Sequence, residues 1–300
     1  MPVTELPARR VVFVHAHPDD EAIATGATMA KYAAEGAHVT LVTCTLGEEG
    51  EIVVADLAHL AAGHDDELGA EREQELANAM KALGVTDHRI LGGPGRYRDS
   101  GMMGTPSNDR KDSFWQADLD EATAHMVAIV REVRPQVIVS YDENGAYGHP
   151  DHIRAHDVAM GAFRKSGDAS FAPGTGEPWQ PTKFYFTVVP KSLIQAAMDM
   201  TRERGQDMFE GAESADDIPF AMPDEQVTTE IDARAYVDAK QAALRAHRSQ
   251  IAADDPFFSL FESDDLDLSF GREHYYLAAG PRGPGVGQYN WETDLFAAID

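Results

Sequence analysis

The sequence predicts an α/β protein: a mostly parallel β-sheet with helices on both faces, completed by a smaller C-terminal α/β portion. Three observations carry this. In the first half of the chain, short β-branched runs alternate with segments whose apolar residues recur at helical spacing. The strand runs are apolar at consecutive positions, as strands covered on both faces are. Each return to a parallel neighbour needs a crossover, and the helical segments supply it.

Val11-Val12-Phe13-Val14 is the first strand. Ile23, Ala27, Ala30 and Ala34 then recur on one helical face, Gly36 closes that segment, and residues 37–45 form the second strand. Residues 66–83 read as a helix with Leu76, Met80 and Leu83 inward, followed by a short strand at His88–Leu91. Leu119, Ala122, Met126, Ile129 and Val133 mark a further helix stopped near Pro135, and Val137–Tyr141 is the fourth strand. A Gly/Pro-rich connector covers 166–181, a strand 183–189, a helix 191–204, an acidic loop 205–227 and a long helix 232–251, before a Gly-rich tail at 280–290. The expected organisation is a catalytic core over 1–165, with residues 166–300 completing the same domain and its substrate pocket.

Composition narrows the function. Lys and Arg number 25 against 51 Asp and Glu, a formal charge of −26, which repels phosphate backbones and anionic lipid. Nucleic acid and membrane surfaces are therefore poor partners. No apolar run is long enough to span a bilayer, and MPVTELPARR lacks the basic-then-apolar order of a signal peptide. The single cysteine, Cys44, excludes a disulfide framework and a Cys-built zinc site. A cytoplasmic setting is expected.

In a parallel sheet the ligand crevice lies beyond the carboxyl ends of the strands, where 15–21, 46–56 and 142–152 should converge. The first segment carries His15, His17, Asp19, Asp20 and Glu21 around Pro18, which keeps His17 extended. A single Asp there would be an ordinary helix N-cap; two, preceded by two histidines, point to more. The third segment carries Tyr147, His149, Asp151 and His152, with Pro150 suited to a first helical turn. His156 continues the same side and reads as a satisfied core histidine. Two imidazoles and a carboxylate suit Zn²⁺ or Fe²⁺ with positions open for water and substrate. Spacing alone leaves His15 against His17, and Asp19 against Asp20, as rival ligands. Whichever carboxylate is spare is placed to deprotonate water that the metal activates, so the residues read as metal-assisted hydrolysis.

His17-Pro18-Asp19-Asp20 and His149-Pro150-Asp151-His152 resemble the paired motifs of the LmbE-like metal-dependent deacetylases, which include the glycosylphosphatidylinositol-pathway N-acetylglucosamine deacetylase. FVHAHPDDE (13–21), VTCTLGEEGE (42–51), GRYRDSGM (95–102), YDENGAYGHPDH (141–152), HYYLAAG (274–280) and WETDL (291–295) are closest to the mycothiol-biosynthesis branch. The resemblance implies a Rossmann-like fold and a small-molecule pseudodisaccharide substrate, an acetylated glucosaminyl-inositol. It implies one divalent metal, Zn²⁺ ahead of Fe²⁺, on His17, Asp20 and His152, with Asp19 as general base. It further implies that His149 stabilises the oxyanion or protonates the amine, oriented by Asp151, that Tyr147 is a mobile donor, and that Arg72, Asp99 and Glu51 hold the sugar and inositol hydroxyls. Arg72 has support of its own: it shares the inward stripe of Leu76, Met80 and Leu83, near a helix start where a cation opposes the dipole.

Four other readings bear comparison. A sister amidase cleaves mycothiol S-conjugates; Ala22–Thr25 lacks the lysine that branch tends to carry, and WETDL favours the deacetylase. A non-catalytic metal- or sugar-binding protein has no need of a spare carboxylate. A phosphoesterase fits poorly with the surplus negative charge and with a crevice lacking a Gly-rich phosphate cradle. A nicotinamide enzyme would need G-x-G-x-x-G where HAHPDD stands.

Overall fold

The computed structural model describes residues 7–205, 211–252 and 271–299. The first six residues and 206–210, part of the predicted acidic loop, lie outside the described residues. The first half runs β1 (Arg10–His15), α1 (Asp20–Ala24), α2 (Gly26–Ala34), β2 (His38–Thr43), α3 (Leu68–Leu83), β3 (Asp87–Ile90), α4 (Leu119–Val133) and β4 (Val137–Ser140). A one-turn helix α5 (Gly145–Gly148) and α6 (Pro150–Lys165) follow. The second half runs β5 (Lys183–Pro190), α7 (Lys191–Glu203), β6 (Ala221–Met222), β7 (Thr229–Asp232), α8 (Val237–Ala246) and β8 (Arg272–Ala279).

The sheet order is β3-β2-β1-β4-β5-β8-β7, with β6 paired to β5. Strands β1 to β5 are parallel, and β8 is antiparallel to both β5 and β7. Consecutive apolar residues on β1 and β4 serve opposite faces. Val11, Phe13, Val137 and Val139 pack in one core with α2, α3 and α8 residues such as Met29, Leu76 and Leu244. Val12, Val14 and Ile138 pack in the other with Met126 and Val130 of α4 and Val158 and Ala159 of α6. Chain order reverses at β1, so the crevice between the ends of β1 and β4 is the switch point at which such sheets bind ligands.

Three expectations need correction. The helix through Ile23 and Ala34 is two helices broken at Thr25, whose φ of −137° is not helical, and Ile23 is exposed. The helix over 232–251 is shorter: Asp232 ends β7 and α8 closes at Ala246. Leu119 stands exposed at the start of α4 instead of facing the core. The C-terminal tail is fastened by a fully buried ion pair, Lys183 Nζ to Glu292 Oε1 at 2.8 Å, with Tyr185 and Thr229 hydroxyls also donating to Glu292. No helix among the described residues is long and apolar enough to cross a membrane.

Candidate metal centre and active site

Beyond β1 the chain turns sharply, and the alternative ligands separate. His15 points away from the crevice: Nδ1 lies 3.1 Å from the Tyr141 hydroxyl and Nε2 lies 2.9 Å from Thr25 Oγ1. It braces the end of β1 against the α1–α2 break. His17, two residues on, enters the crevice. Asp20 turns back toward it, with Oδ2 accepting from the His17 N–H at 2.9 Å. The Asp20 carboxylate then lies 3.4 Å from His17 Nδ1 and 3.5 Å from His152 Nε2.

These two separations are long for hydrogen bonds. One Asp20 oxygen faces each imidazole, and two imidazole nitrogens with a carboxylate are a donor set that suits a divalent ion. Coordination through His17 Nδ1 would leave Nε2 to be oriented from outside, and two buried carboxylates face it: Asp151 at 3.3 Å and Asp99 at 3.6 Å. A carboxylate behind a ligand histidine fixes its tautomer and raises its basicity. Burial disfavours a charged His17, yet Asp99 and Asp151 together hold its pKa well above the ordinary range. Among the described residues, the groups whose donor atoms all lie within 4.8 Å of one another are His17, His149 and His152, and His17, Asp99 and Asp151; Asp20 borders His17 and His152 of the first without belonging to either group.

Asp19 takes the other direction. Its φ of 121° is an unfavourable backbone region for a side-chain-bearing residue, of order 1–3 kcal/mol of strain. It stands at the α1 N-cap position without a side-chain capping bond. Its carboxylate instead accepts from Arg72 Nη2 at 3.0 Å, while Arg72 Nη1 donates to the Gly47 carbonyl at 2.8 Å. A Cβ on Gly47 would fall 2.1 Å from the guanidinium, so glycine is required for this approach. Burial pushes the Asp19 carboxyl up to about 6 despite the opposing Arg72 charge. Buried Arg72 ties Asp19 to the 46–56 segment through its guanidinium.

The third segment is positioned by tight backbone geometry. Gly145 (φ 61°) lies against the first turn of α6, where a Cβ would meet Ile153 N at 2.6 Å. Ala146 has φ 61° and ψ −79°, and this kink presents Tyr147, which is about half exposed, with its hydroxyl 3.5 Å from His152 Nε2. His149 is the N-cap of α6: its Nδ1 accepts from the Asp151 N–H at 3.1 Å. With Nδ1 an acceptor, the neutral ring carries its proton on Nε2. Burial, with His17 and His152 nearby, pushes the His149 pKa down to about 3. Asp151 therefore meets His149 through its main chain. The expectation that the Asp151 carboxylate orients His149 is corrected: that carboxylate accepts from Ser100 N–H at 2.9 Å and from the Ser100 hydroxyl, and faces His17.

Asp99 is buried, accepting from Gly101 N–H at 2.8 Å beside His17. Glu48 caps the same turn through the Asp99 N–H at 2.9 Å. Glu51 stands exposed on the 46–56 segment. His156 is the satisfied core residue expected, with Nδ1 2.9 Å from the Tyr141 carbonyl and its ring against Phe186. Sequence reasoning missed Tyr141, Ser100 and His247. Each acts through a partner far along the chain, and none sits in a periodic pattern that would single it out. Beside Asp20, Tyr147 and His152 opens a cavity of about 310 Å³ whose far wall is apolar, with Ile23, Val189, Leu193 and Phe220.

The family model described as PIG-L, GlcNAc-PI de-N-acetylase, matches residues 12–163, which contain both histidine motifs. A 1D-myo-inositol 2-acetamido-2-deoxy-alpha-D-glucopyranoside deacetylase of Thermobispora bispora is 57% identical over 97% of this chain and 99% of its own length. The same-named protein of Geodermatophilus obscurus is 55% identical over 98% of this chain and 99% of its own. Among solved structures, N,N'-diacetylchitobiose deacetylase from Pyrococcus horikoshii superposes with a TM-score of 0.59 at 19% identity, covering 91% of this chain and 84% of that one. GalB, a 4-carboxy-2-hydroxymuconate hydratase from a Pseudomonas, superposes at 0.57 with 18% identity, covering 93% and 100%. Likeness at that level shows the fold alone, and the two activities differ. The motif match and the near full-length identity together place the chain in the PIG-L family of GlcNAc-PI de-N-acetylases.

Proposed function

We propose that the chain hydrolyses the N-acetyl amide of 1D-myo-inositol 2-acetamido-2-deoxy-α-D-glucopyranoside, releasing acetate and the free amine, with His17, Asp20 and His152 holding one divalent cation, Zn²⁺ ahead of Fe²⁺. When bound, such a cation lowers the pKa of water from about 15.7 to about 7 and polarises the acyl oxygen. The observation that carries this reading is the parting of two adjacent aspartates. Asp20 turns into the His17–His152 group, while Asp19 turns to Arg72 and stays clear of it.

Asp19 takes a proton from the attacking water as the new C–O bond forms. His149 Nε2–H and the Tyr147 hydroxyl donate to the oxygen that gains charge. The C–N bond breaks as the nitrogen receives a proton, and Asp19 returns the one it took. His149 is a poor source for that proton, because an imidazolium would forfeit the bond from the Asp151 N–H. Asp99 and Asp151 keep His17 oriented, and Arg72 keeps Asp19 ionised near neutral pH.

A second reading, hydrolysis of the cysteinyl amide of a thiol S-conjugate on the same amino sugar, draws on the apolar cavity beside Asp20 and Tyr147, which has room for a bulkier acyl group than acetyl. Amine release from the acetylated pseudodisaccharide and from a bimane conjugate, each with and without chelator, tests both. Chelator-sensitive release that is faster from the acetylated compound is expected. Release that ignores the chelator, or that is confined to the conjugate, overturns the proposal.

A further inference from the structure

The strained residue Asp19 is restrained from the far end of the chain. Its N–H donates to Glu21 Oε2 at 2.9 Å, and the other oxygen of Glu21 lies 2.7 Å from His247 Nε2. Both side chains are fully buried, at 0% exposure. His247 directly follows α8, and its place is set independently of Glu21. Its N–H donates to the Leu244 carbonyl, and its own carbonyl receives the Gln250 and Ile251 N–H groups. Ser249, two residues on, donates through N–H and hydroxyl to Glu75 of α3, both at 2.7 Å, and its carbonyl accepts the Val53 N–H. The turn after α8 is thus bolted to α3 and to the 46–56 segment, and it reaches Asp19 through one carboxylate.

At φ 121° an aspartate relaxes to negative φ unless its neighbours over-determine it. Several restraints act at this residue. Arg72 holds the carboxylate and the Pro18 carbonyl, the Ala22 and Ile23 N–H groups hold the Asp19 carbonyl, and Glu21 holds the Asp19 N–H. Of these, the Glu21 contact is the one that depends on the turn after α8. Glu21, in turn, keeps its carboxylate turned to Asp19 because His247 occupies its other oxygen.

We infer that Glu21 and His247 form a positioning pair that holds the Asp19 backbone in its strained conformation and so aims its carboxylate at the reacting water. The inference rests on Asp19 being the base of the proposed deacetylation. A buried pair serving stability alone would instead lower yield and melting temperature and leave turnover per folded molecule unchanged.

The test compares wild type, His247→Leu and His247→Gln for kcat, KM, bound metal per chain and the crystallographic φ of residue 19. His247→Leu should lose about 10- to 100-fold in kcat, the scale of a misplacement near 1 Å, with KM and metal content kept and φ at residue 19 turned negative. His247→Gln retains a donor toward Glu21 and should recover most of that loss. Should the single Leu variant not fold, Glu21→Ala with His247→Leu removes the tether without leaving a buried unpaired carboxylate, and the same fall is expected. Wild-type kcat in the Leu or double variant, an unchanged φ, or equal impairment in the Gln variant overturns the pair. Absence of amine release from the wild-type chain would overturn the deacetylase reading instead, and the φ of residue 19 in the variants still decides the pair.

Discussion

Replacing Asp19 by Asn separates chemistry from architecture at one position. The Asn amide oxygen can accept the Arg72 bond now made at 3.0 Å, and Asn is among the residues that tolerate positive φ best. The fold should therefore survive, with metal bound, while amine release falls about 10²–10⁴-fold for want of a proton acceptor. Stability should move the other way. Burial raises the Asp19 carboxyl from 3.8 to about 6 against the pull of Arg72, so the folded state binds this proton more tightly than the unfolded chain does. The protein then loses stability as pH rises from about 4 through about 6, by about 3 kcal/mol in all. Asn carries no such penalty. In chelator at pH 7, Asp19→Asn should unfold at higher urea than wild type, by up to about 3 kcal/mol, and the gap should close below pH 4. Undiminished turnover would refute Asp19 as the base. A variant destabilised at pH 7 would refute the claim that burial outweighs Arg72 at this carboxylate.

Asp20→Ala should lose bound metal in elemental analysis while keeping its circular dichroism; unchanged metal content would remove Asp20 from the ligand set. The kcat/KM profile should fall on the acid side as Asp19 protonates, and Arg72→Met should move that limb to higher pH, because a cation that favours the carboxylate is gone. A limb that stays put in Arg72→Met would show that another group sets it. Lys183→Met strands Glu292 in the core and should lose about 3–5 kcal/mol in urea unfolding, with kcat of the folded fraction unaltered.

Much of this arrangement is legible before any coordinates. Val11–Val14 and Val137–Ser140 read as strands because both faces are covered, and the α3 stripe of Leu76, Met80 and Leu83 correctly carries Arg72 inward. What escapes is set by distant partners. The period-2 strand of Thr229 and Ile231 is only four residues long and adjoins apolar residues that suit a helix, so the helical reading ran past its true start. The α1–α2 break follows from Asp19 and Thr25 geometry, which His15 and Glu21 enforce from the inside. At the site, residue types narrowed the chemistry to two histidines and a carboxylate but left His15 and His17 equal. The structure parts them because Tyr141 and Thr25 occupy both nitrogens of His15. Likewise, Asp151 and Asp99 converge on His17 across 134 and 82 residues of sequence, a distance over which no local pattern survives.

The most direct measurement is an anomalous-difference map from crystals grown with zinc. One peak within bonding distance of His17 Nδ1, Asp20 and His152 Nε2, with the Asp19 carboxylate still on Arg72, is the predicted outcome. A peak seated among His17, Asp99 and Asp151, or one that takes Asp19 as a ligand, would contradict the division of labour between the two neighbouring aspartates.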